Sequence, residues 1–328
     1  MISSQQVLTR RLALMGCLLL MAAGARAADW PERTVRMIVP FGAGSGADTV
    51  GRVFAEELAK ALGQAVVVDN KGGAGGLMGT AEGARAPADG YTLLLTSQGT
   101  TVFNMGLYKA PGYDPLKDLA PVTITGILPN VLVVAPTNPA TTAADLIAQA
   151  RAKPGELTYG SSGVGSSLHM SGVTLEQRTG VRLQHVPYRA APAAVLAVVN
   201  GEVTMGFFNA PTVLGQLKAG KLKALAVTGK VRSVMLPDVP TMIEAGVPDF
   251  VVAGWLGFAL PANTPRAIVL RFNAEINRIA HSPEVKDKLL IQGFEMLPPG
   301  SPEAARKLIE DDQAIWLPII KQSGAKAE

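Results

Sequence analysis

Cysteine is almost missing from this chain of 328 residues: Cys17 is the only one, and it falls within the first twenty positions. Disulfide staples and cysteine metal sites are therefore excluded beyond that point. A chain of this length buries enough of its surface to do without staples. Histidine is nearly as scarce. His169, His185 and His281 are far apart in sequence and show no paired-ligand spacing for a metal. Aromatic residues make up 5% of the chain, and Trp30, Trp255 and Trp316 are too scattered to form a sugar-stacking platform. Charge is thin as well. The formal net charge is +4, of which Arg10, Arg11 and Arg26 supply three, so that residues 28–328 carry +1. That balance calls for neither nucleic acid nor an anionic membrane surface. After the first 27 residues no apolar run is long enough to span a bilayer.

Those first 27 residues read as an export signal. Arg10 and Arg11 precede an apolar run from Leu12 to Ala23, and Ala25-Arg26-Ala27 is a small-residue cleavage site. Cleavage after Ala27 leaves 301 residues and predicts a periplasmic protein. Thr9-Arg10-Arg11 is similar to a twin-arginine signal, although Ala13 stands where a bulky apolar residue belongs. Leu14-Met15-Gly16-Cys17 is similar to a lipoprotein cleavage site but comes too early in the apolar run. Ordinary export of a soluble form is the expectation.

What is present is a repeated unit of strand, small polar loop and helix. Val35, Met37 and Val39 alternate in a short strand that Pro40 ends, and Gly42, Gly44 and Gly46 follow. Ser45 and Asp48 fit a capping box that opens a helix with Val50, Val53, Phe54, Leu58 and Leu62 on one face, stopped by Gly63. Such a turn exposes backbone N–H groups in front of a positive helix end, which makes it an anion site as readily as a plain tight turn. It is not a P-loop, because Gly-Lys-Ser/Thr is missing, and Thr49 spoils a dinucleotide fingerprint.

The alternation continues. Strands are predicted at Ala65–Asp69, Tyr91–Thr96, Leu157–Tyr159, Gln184–Pro187, Val203–Phe208 and Lys223–Thr228, with helices between them. Polar loops follow three of these strands: Ser97 to Thr101, Gly160 to Ser167, and Asn209. Thr142 and Asp145 cap another helix, and Pro265, Pro283 and Pro302 suit first helical positions. This pattern predicts an α/β fold with largely parallel sheets, whose loops gather at the carboxyl ends of strands, where ligands bind. Two long extended stretches, Val122–Ala135 and Val251–Leu260, divide the chain so that its ends flank a middle block. Two lobes joined by a double crossover are expected, with a ligand between them.

An enzyme would need a positioned base. His281 suits a helix C-terminus and His185 a packed strand position, while His169 fits either a pocket or packing. Asp48 is explained by capping. The serines after Gly160 lack a nucleophile elbow, so hydroxyls are expected to act as donors and acceptors. A secreted serine hydrolase is the rival from another class.

The motifs, taken in order, resemble the Bug receptors, the extracytoplasmic solute-binding proteins of tripartite tricarboxylate transporters. They are Val-Arg-Met-Ile-Val-Pro-Phe41 with Gly44, Gly46 and Asp48, Val67 to Gly76, Asp89 to Leu94, Leu157 to Gly163, His185-Val-Pro-Tyr188, Leu222 to Thr228 and Leu236 to Thr241. The resemblance implies a type II periplasmic-binding-protein fold of two lobes, a Venus flytrap with two crossover strands. Residues 28–127 and 253–328 would form one lobe and 128–252 the other. It implies a non-catalytic receptor that captures a small carboxylate and delivers it to a transporter, or alternatively reports it to a sensor protein. It also implies no cofactor, no metal and a monomer. The site carried over by position is Phe41, Gly44, Ser45, Gly46 and Asp48, then Ser97, Gly99 and Thr100, and in the other lobe Ser161, Ser162, Gly163, Ser166, His169 and Asn209. Three departures from the family's pattern stand out. Gly42-Ala43 replaces a pair of prolines, which predicts a looser first loop with an extra hydroxyl at Ser45. Phe208 replaces an acid before Asn209, which favours a carboxylate without an α-amine. The loop after Tyr188 is one residue short, which predicts altered specificity there.

Overall fold

The computed structural model describes residues 30–327. The expected export signal lies outside the described residues. The strands are β1 (Val35–Val39), β2 (Val66–Asn70), β3 (Thr92–Ser97), β4 (Leu119–Val134), β5 (Thr158–Ser161), β6 (Gln184–Pro187), β7 (Met205–Asn209), β8 (Lys223–Val227), β9 (Ala253–Pro261) and β10 (Glu295–Met296). The helices that matter below are α1 (Gly46–Leu62), α2 (Leu77–Ala84), α3 (Asn104–Leu107), α4 (Ala143–Ala152), α5 (Ser167–Thr179), α6 (Ala191–Val199), α7 (Ala210–Lys218), α8 (Arg266–Ala280), α9 (Pro283–Leu290) and α10 (Pro302–Ser323).

The strands run in the order β2-β1-β3-β9-β4-β7-β5-β6, with β8 and β10 also paired to β4. The trio β2-β1-β3 is parallel, and β6-β5-β7 repeats the same arrangement in the second half of the chain. The expectation of largely parallel sheets needs correction at the centre. There β4 and β9 pair antiparallel over nearly the whole length of β9, and β4 is also antiparallel to β7, β8 and β10. The cause is connectivity: β4 carries the chain from the first half into the second and β9 carries it back, so the two long strands run in opposite directions and knit the parallel trios together. β4 serves both sides. Its first part, to Pro129, pairs with β9, and from Asn130 onward it pairs with β7.

Apolar packing follows the same division. One core gathers β1, β3 and β9 beneath α1 and α8, around Met37, Phe54, Phe258 and Phe272, all essentially sealed from solvent. Two others, one around Tyr159, Phe207 and Phe250 and one around Val131, Val195 and Phe208, flank the sheet of β4 to β8. A further cluster joins Phe103 and Trp255 to Met170, Val173 and Ile320.

Local signals place the helix ends. The Ser45, Ser166, Ser282 and Ser301 hydroxyls each accept a backbone N–H of the first turn, and Thr142 with Asp145 forms a complete capping box. Gly63 and Gly180 close α1 and α5 in the left-handed conformation. The expected box at α1 is only half formed. Asp48 Oδ2 accepts from the Gly44 N–H at 2.9 Å instead of reaching back to the cap residue. Pro265 is the cap residue of α8, not its first helical position. The polar loop after β3 is helical: a π-turn from Gly99 to Phe103 leads straight into α3.

Candidate functional site

The loop from β1 to α1 and the loop from β5 to α5 occupy equivalent positions in the two halves and face each other. Between them lies a narrow pocket with about 470 Å³ of atom-free space, its open mouth included. The first loop contributes Phe41, Ser45 and Ala47, and the π-turn region contributes Ser97 and Gly99. The opposite side contributes Ser162, Ser166, Ser167 and Leu168, with Ala191 and Asn209 at the starts of α6 and α7. The floor is the pair of long strands, through Leu128 of β4 and Gly254, Trp255 and Leu256 of β9.

No charged side chain lines this pocket. Its electrostatics come from helix ends. In α1 the Ser45 hydroxyl takes the N–H of Asp48, and the Ser45 carbonyl takes that of Thr49. The N–H groups of Gly46 and Ala47 then have no partner among the described residues. The same holds in α5, where Ser166 takes the N–H groups of His169 and Met170 and leaves those of Ser167 and Leu168. Each helix end carries about half a positive charge, so two apposed ends with open donors suit one anionic group.

Seven of the fourteen residues expected from the sequence line the pocket: Phe41, Ser45, Ser97, Gly99, Ser162, Ser166 and Asn209. The other seven stand behind it. Gly44, at φ +76°, donates its N–H to Asp48. Gly46 lies so close to Leu128 and Asn209 that a Cβ there would come within 2.6 Å of one and 2.8 Å of the other. Asp48 is buried and also accepts from Asn70 Nδ2 at 2.9 Å and Arg52 Nε at 3.0 Å. Burial pushes its carboxyl up, but Arg52, the Gly44 N–H and Asn70 outweigh that and hold it below the usual range. Thr100 locks Ser97, each backbone N–H bonding the other's hydroxyl at 3.0 and 3.1 Å. Ser161 and Gly163 shape the loop, with the Gly163 N–H donating to Ser161 Oγ at 3.0 Å.

His169 is buried beneath that loop, not in the pocket. Its Nδ1 accepts from the Gly165 N–H at 3.3 Å, and its ring lies 4.3 Å from that of His185, which stacks on Tyr159 at 4.9 Å. Sequence distance concealed this pairing. Burial, and then the neighbouring His185, lowers His169 to about 3, and burial lowers His185 to about 4. His185 Nε2 also lies 2.6 Å from Ser161 Oγ, so a serine does have a base beside it. That serine is wholly buried and does not line the pocket, so the contact props the loop and attacks nothing.

Sequence reasoning missed the walls: Ala47, Leu128, Ser167, Leu168, Ala191, Gly254, Trp255 and Leu256. Most are small or apolar and carry no chemical signature. Trp255 is held by Asp312 of α10, whose Oδ2 accepts from the indole Nε1 at 2.7 Å and from Gln98 Nε2 at 2.8 Å.

Gly42 of the first loop packs closely on the opposite side. A Cβ on Gly42 would stand 2.5 Å from that of Ala190, in the short loop of the opposite side. The two sides also meet where Tyr108 donates its hydroxyl to the Val164 carbonyl at 3.2 Å, and where Gly75 packs on Val164 and Gly163.

Two crossover strands under a cleft fed by opposed helix ends define a two-lobed periplasmic binding protein. The solved structure of the periplasmic binding protein BugD superposes with a TM-score of 0.86 at 32% identity, covering 91% of this chain and all of that one. The R. palustris protein Rpa4515, solved with adipate, gives 0.86 at 36%, covering 90% and 98%. Protein BugT of Bordetella pertussis is 36% identical over 323 residues, which is 97% of this chain and 99% of that protein. A profile of the tripartite tricarboxylate transporter family receptor matches residues 50–325. The chain belongs to that family, and is a solute receptor, not an enzyme.

Proposed function

We propose that this receptor captures a small organic acid in the pocket between the β1–α1 and β5–α5 loops, closes on it, and presents it to the membrane subunits of a tripartite transporter. The observation that carries this reading is the uncharged pocket into which two helix N-termini turn open N–H groups. Such a site favours an anion without burying a cation. The adipate in the related structure is a carboxylate of the same kind. The residues assigned to the ligand are Phe41, Ser45, Ser97, Gly99, Ser162, Ser166 and Asn209, with Gly44, Gly46, Asp48, Thr100, Ser161, Gly163 and His169 shaping the loops that present them. Phe208 stands before Asn209 and no carboxylate lines the pocket, so a ligand ammonium would find no counter-charge. An acid without an α-amine is the better fit.

The lobes of this reading are residues 28–127 with 253–328, and residues 128–252, hinged where β4 and β9 cross. The mature protein starts after Ala27, works in the periplasm and acts as a monomer. Contacts such as Gly75 on Val164 belong to the closed state and drive closure only if the ligand favours that state.

A thermal-shift screen of residues 28–328, freed of co-purified ligand, tests the reading. Mono-, di- and tricarboxylates, amino acids and aromatic acids form the panel. Binding to the folded state alone adds about 2.7 kcal/mol at a hundredfold excess over Kd, so a raised midpoint with carboxylates is expected. A panel in which no carboxylate raises the midpoint overturns it.

A further inference from the structure

We infer that Asn209 presents a fixed hydrogen-bond acceptor to the ligand, so that the receptor selects acids bearing a hydroxyl near the carboxylate over their unsubstituted counterparts. This rests on the carboxylate-receptor reading above and adds a selectivity to it.

The inference starts at Ser171. Its hydroxyl spends its one proton on the Ser167 carbonyl at 2.9 Å, so its oxygen can only accept from Asn130, 3.0 Å away. The end of Asn130 facing Ser171 is therefore the NH2 group, and its oxygen points the other way, 2.7 Å from Asn209. Asn209 must meet that oxygen with its own NH2, which also lies 3.4 Å from the Leu128 carbonyl. Both amides are thus oriented by a chain that begins at a hydroxyl with a single proton. Asn130 is wholly buried on β4, and its backbone N–H is tied to Thr228 Oγ1 at 2.8 Å, so the chain has little freedom to turn over.

What remains to Asn209 is its Oδ1. It accepts no hydrogen bond among the described residues, although Asn209 is the cap residue of α7, where such an oxygen usually takes a backbone N–H. Asn209 belongs to the pocket lining, and its Oδ1 stands beside Gly46, where a Cβ would be 2.8 Å from it. A bare acceptor next to an open helix N-terminus is a poor neighbour for a carboxylate oxygen unless a proton lies between them. A hydroxyl close to the carboxylate supplies that proton and carries no charge. An ammonium would supply one as well, but no acid lines the pocket, and Asp48 of α1 is already bonded to Gly44, Asn70 and Arg52. Asn130, out of the pocket, is the positioning residue for this acceptor.

Calorimetric titration of ligand-free residues 28–328 with matched acids tests the inference. The pairs are lactate with propionate, malate with succinate, and 2-hydroxyadipate with adipate. In the pair that fits the pocket, the hydroxy acid is expected to bind on the order of tenfold or more tighter, because its absence leaves a polar group unpaired. Asn209→Leu is expected to bring the ratio of the two affinities in that pair close to one, whatever its effect on the absolute affinity of either acid; if the variant does not fold, Asn209→Ala reads the same way. Asn130→Leu, which frees the amide to turn, should shrink the preference without removing the pocket residue. Equal binding of hydroxy and unsubstituted acids, or a preference that survives in folded Asn209 variants, overturns the assignment while leaving the receptor reading intact. Binding of neither member of any pair overturns the inference, and overturns the receptor reading as well when no carboxylate of the thermal-shift panel raises the midpoint.

Discussion

The indole of Trp255 on the pocket floor donates to the carboxylate of Asp312, 2.7 Å away on the C-terminal helix. The same oxygen holds Gln98 at the mouth of the π-turn, so a residue near the end of the chain sets two groups at the pocket. Asp312→Ala strands a largely buried indole N–H and should cost about 1–3 kcal/mol in urea unfolding. Its tryptophan emission should shift as well. An unchanged midpoint would mean that water replaces the carboxylate without loss.

The paired histidines predict acid sensitivity. His169 and His185 are held neutral, near 3 and 4, against an ordinary 6.5. As pH falls through about 6.5 the unfolded chain takes up protons that the native state refuses. Stability is therefore full above that range and declines toward pH 4, by up to about 1.4 kcal/mol per pH unit for each histidine. Urea midpoints at pH 7.5 and 4.5 measure the decline, which His169→Phe with His185→Gln should flatten. The effect would reach the pocket, since protonating His169 at Nδ1 displaces the Gly165 N–H.

Gly75 predicts how the cleft shuts. It sits at φ +61°, and a Cβ would fall 1.9 Å from the Val164 carbonyl on the opposite side. Gly75→Val should hold the lobes apart and weaken ligand binding by roughly tenfold or more, the fraction of closed protein being a direct factor in affinity. Small-angle scattering should show ligand-induced compaction in the wild type and little in the variant. Compaction of equal size in both would place the closing contact elsewhere.

Asp48 predicts a separate acid window. Its lowered pKa means that it stabilises the fold above the ordinary carboxyl value of 3.8 and loses that contribution as pH falls through the lower, folded value. Asp48→Ala should cost about 1.5–3 kcal/mol at neutral pH by releasing Gly44 and Asn70. Its effect on the pocket is indirect, so the loss should appear in unfolding before it appears in ligand selectivity.

How much of this was legible in the sequence depends on the reach of each interaction. The units of strand, loop and helix could be read because their causes lie within one turn: Ser45 with Asp48, Ser166 with His169, Gly63 and Gly180 as stops. The helical course of Gly99–Phe103 could not be read. Its glycine and two threonines have weak helix preference, and the turn is held from outside. Tyr113 donates to the Thr100 carbonyl, Gln313 donates to that of Thr101 at 2.7 Å, and Trp316 packs edge-on against Phe103. His169 and His185 likewise look unrelated along the chain because β5 and β6 must pair before their rings can meet.

The sequence by itself determined the absence of disulfide staples, and it determined the small polar loops that cap the helices. These follow from composition and from contacts a few residues apart. Only the tertiary structure decided which residues share the pocket. Leu128 and Trp255 form its floor because β4 and β9 pair across more than a hundred residues of chain. Half of the expected site residues stand behind the pocket because the backbone turns that local rules specify leave open which side of each loop faces the cleft. That choice is made by packing of one lobe on the other, at Gly42 against Ala190 and Gly46 against Asn209, and such contacts exist only once the long strands have brought the two halves together.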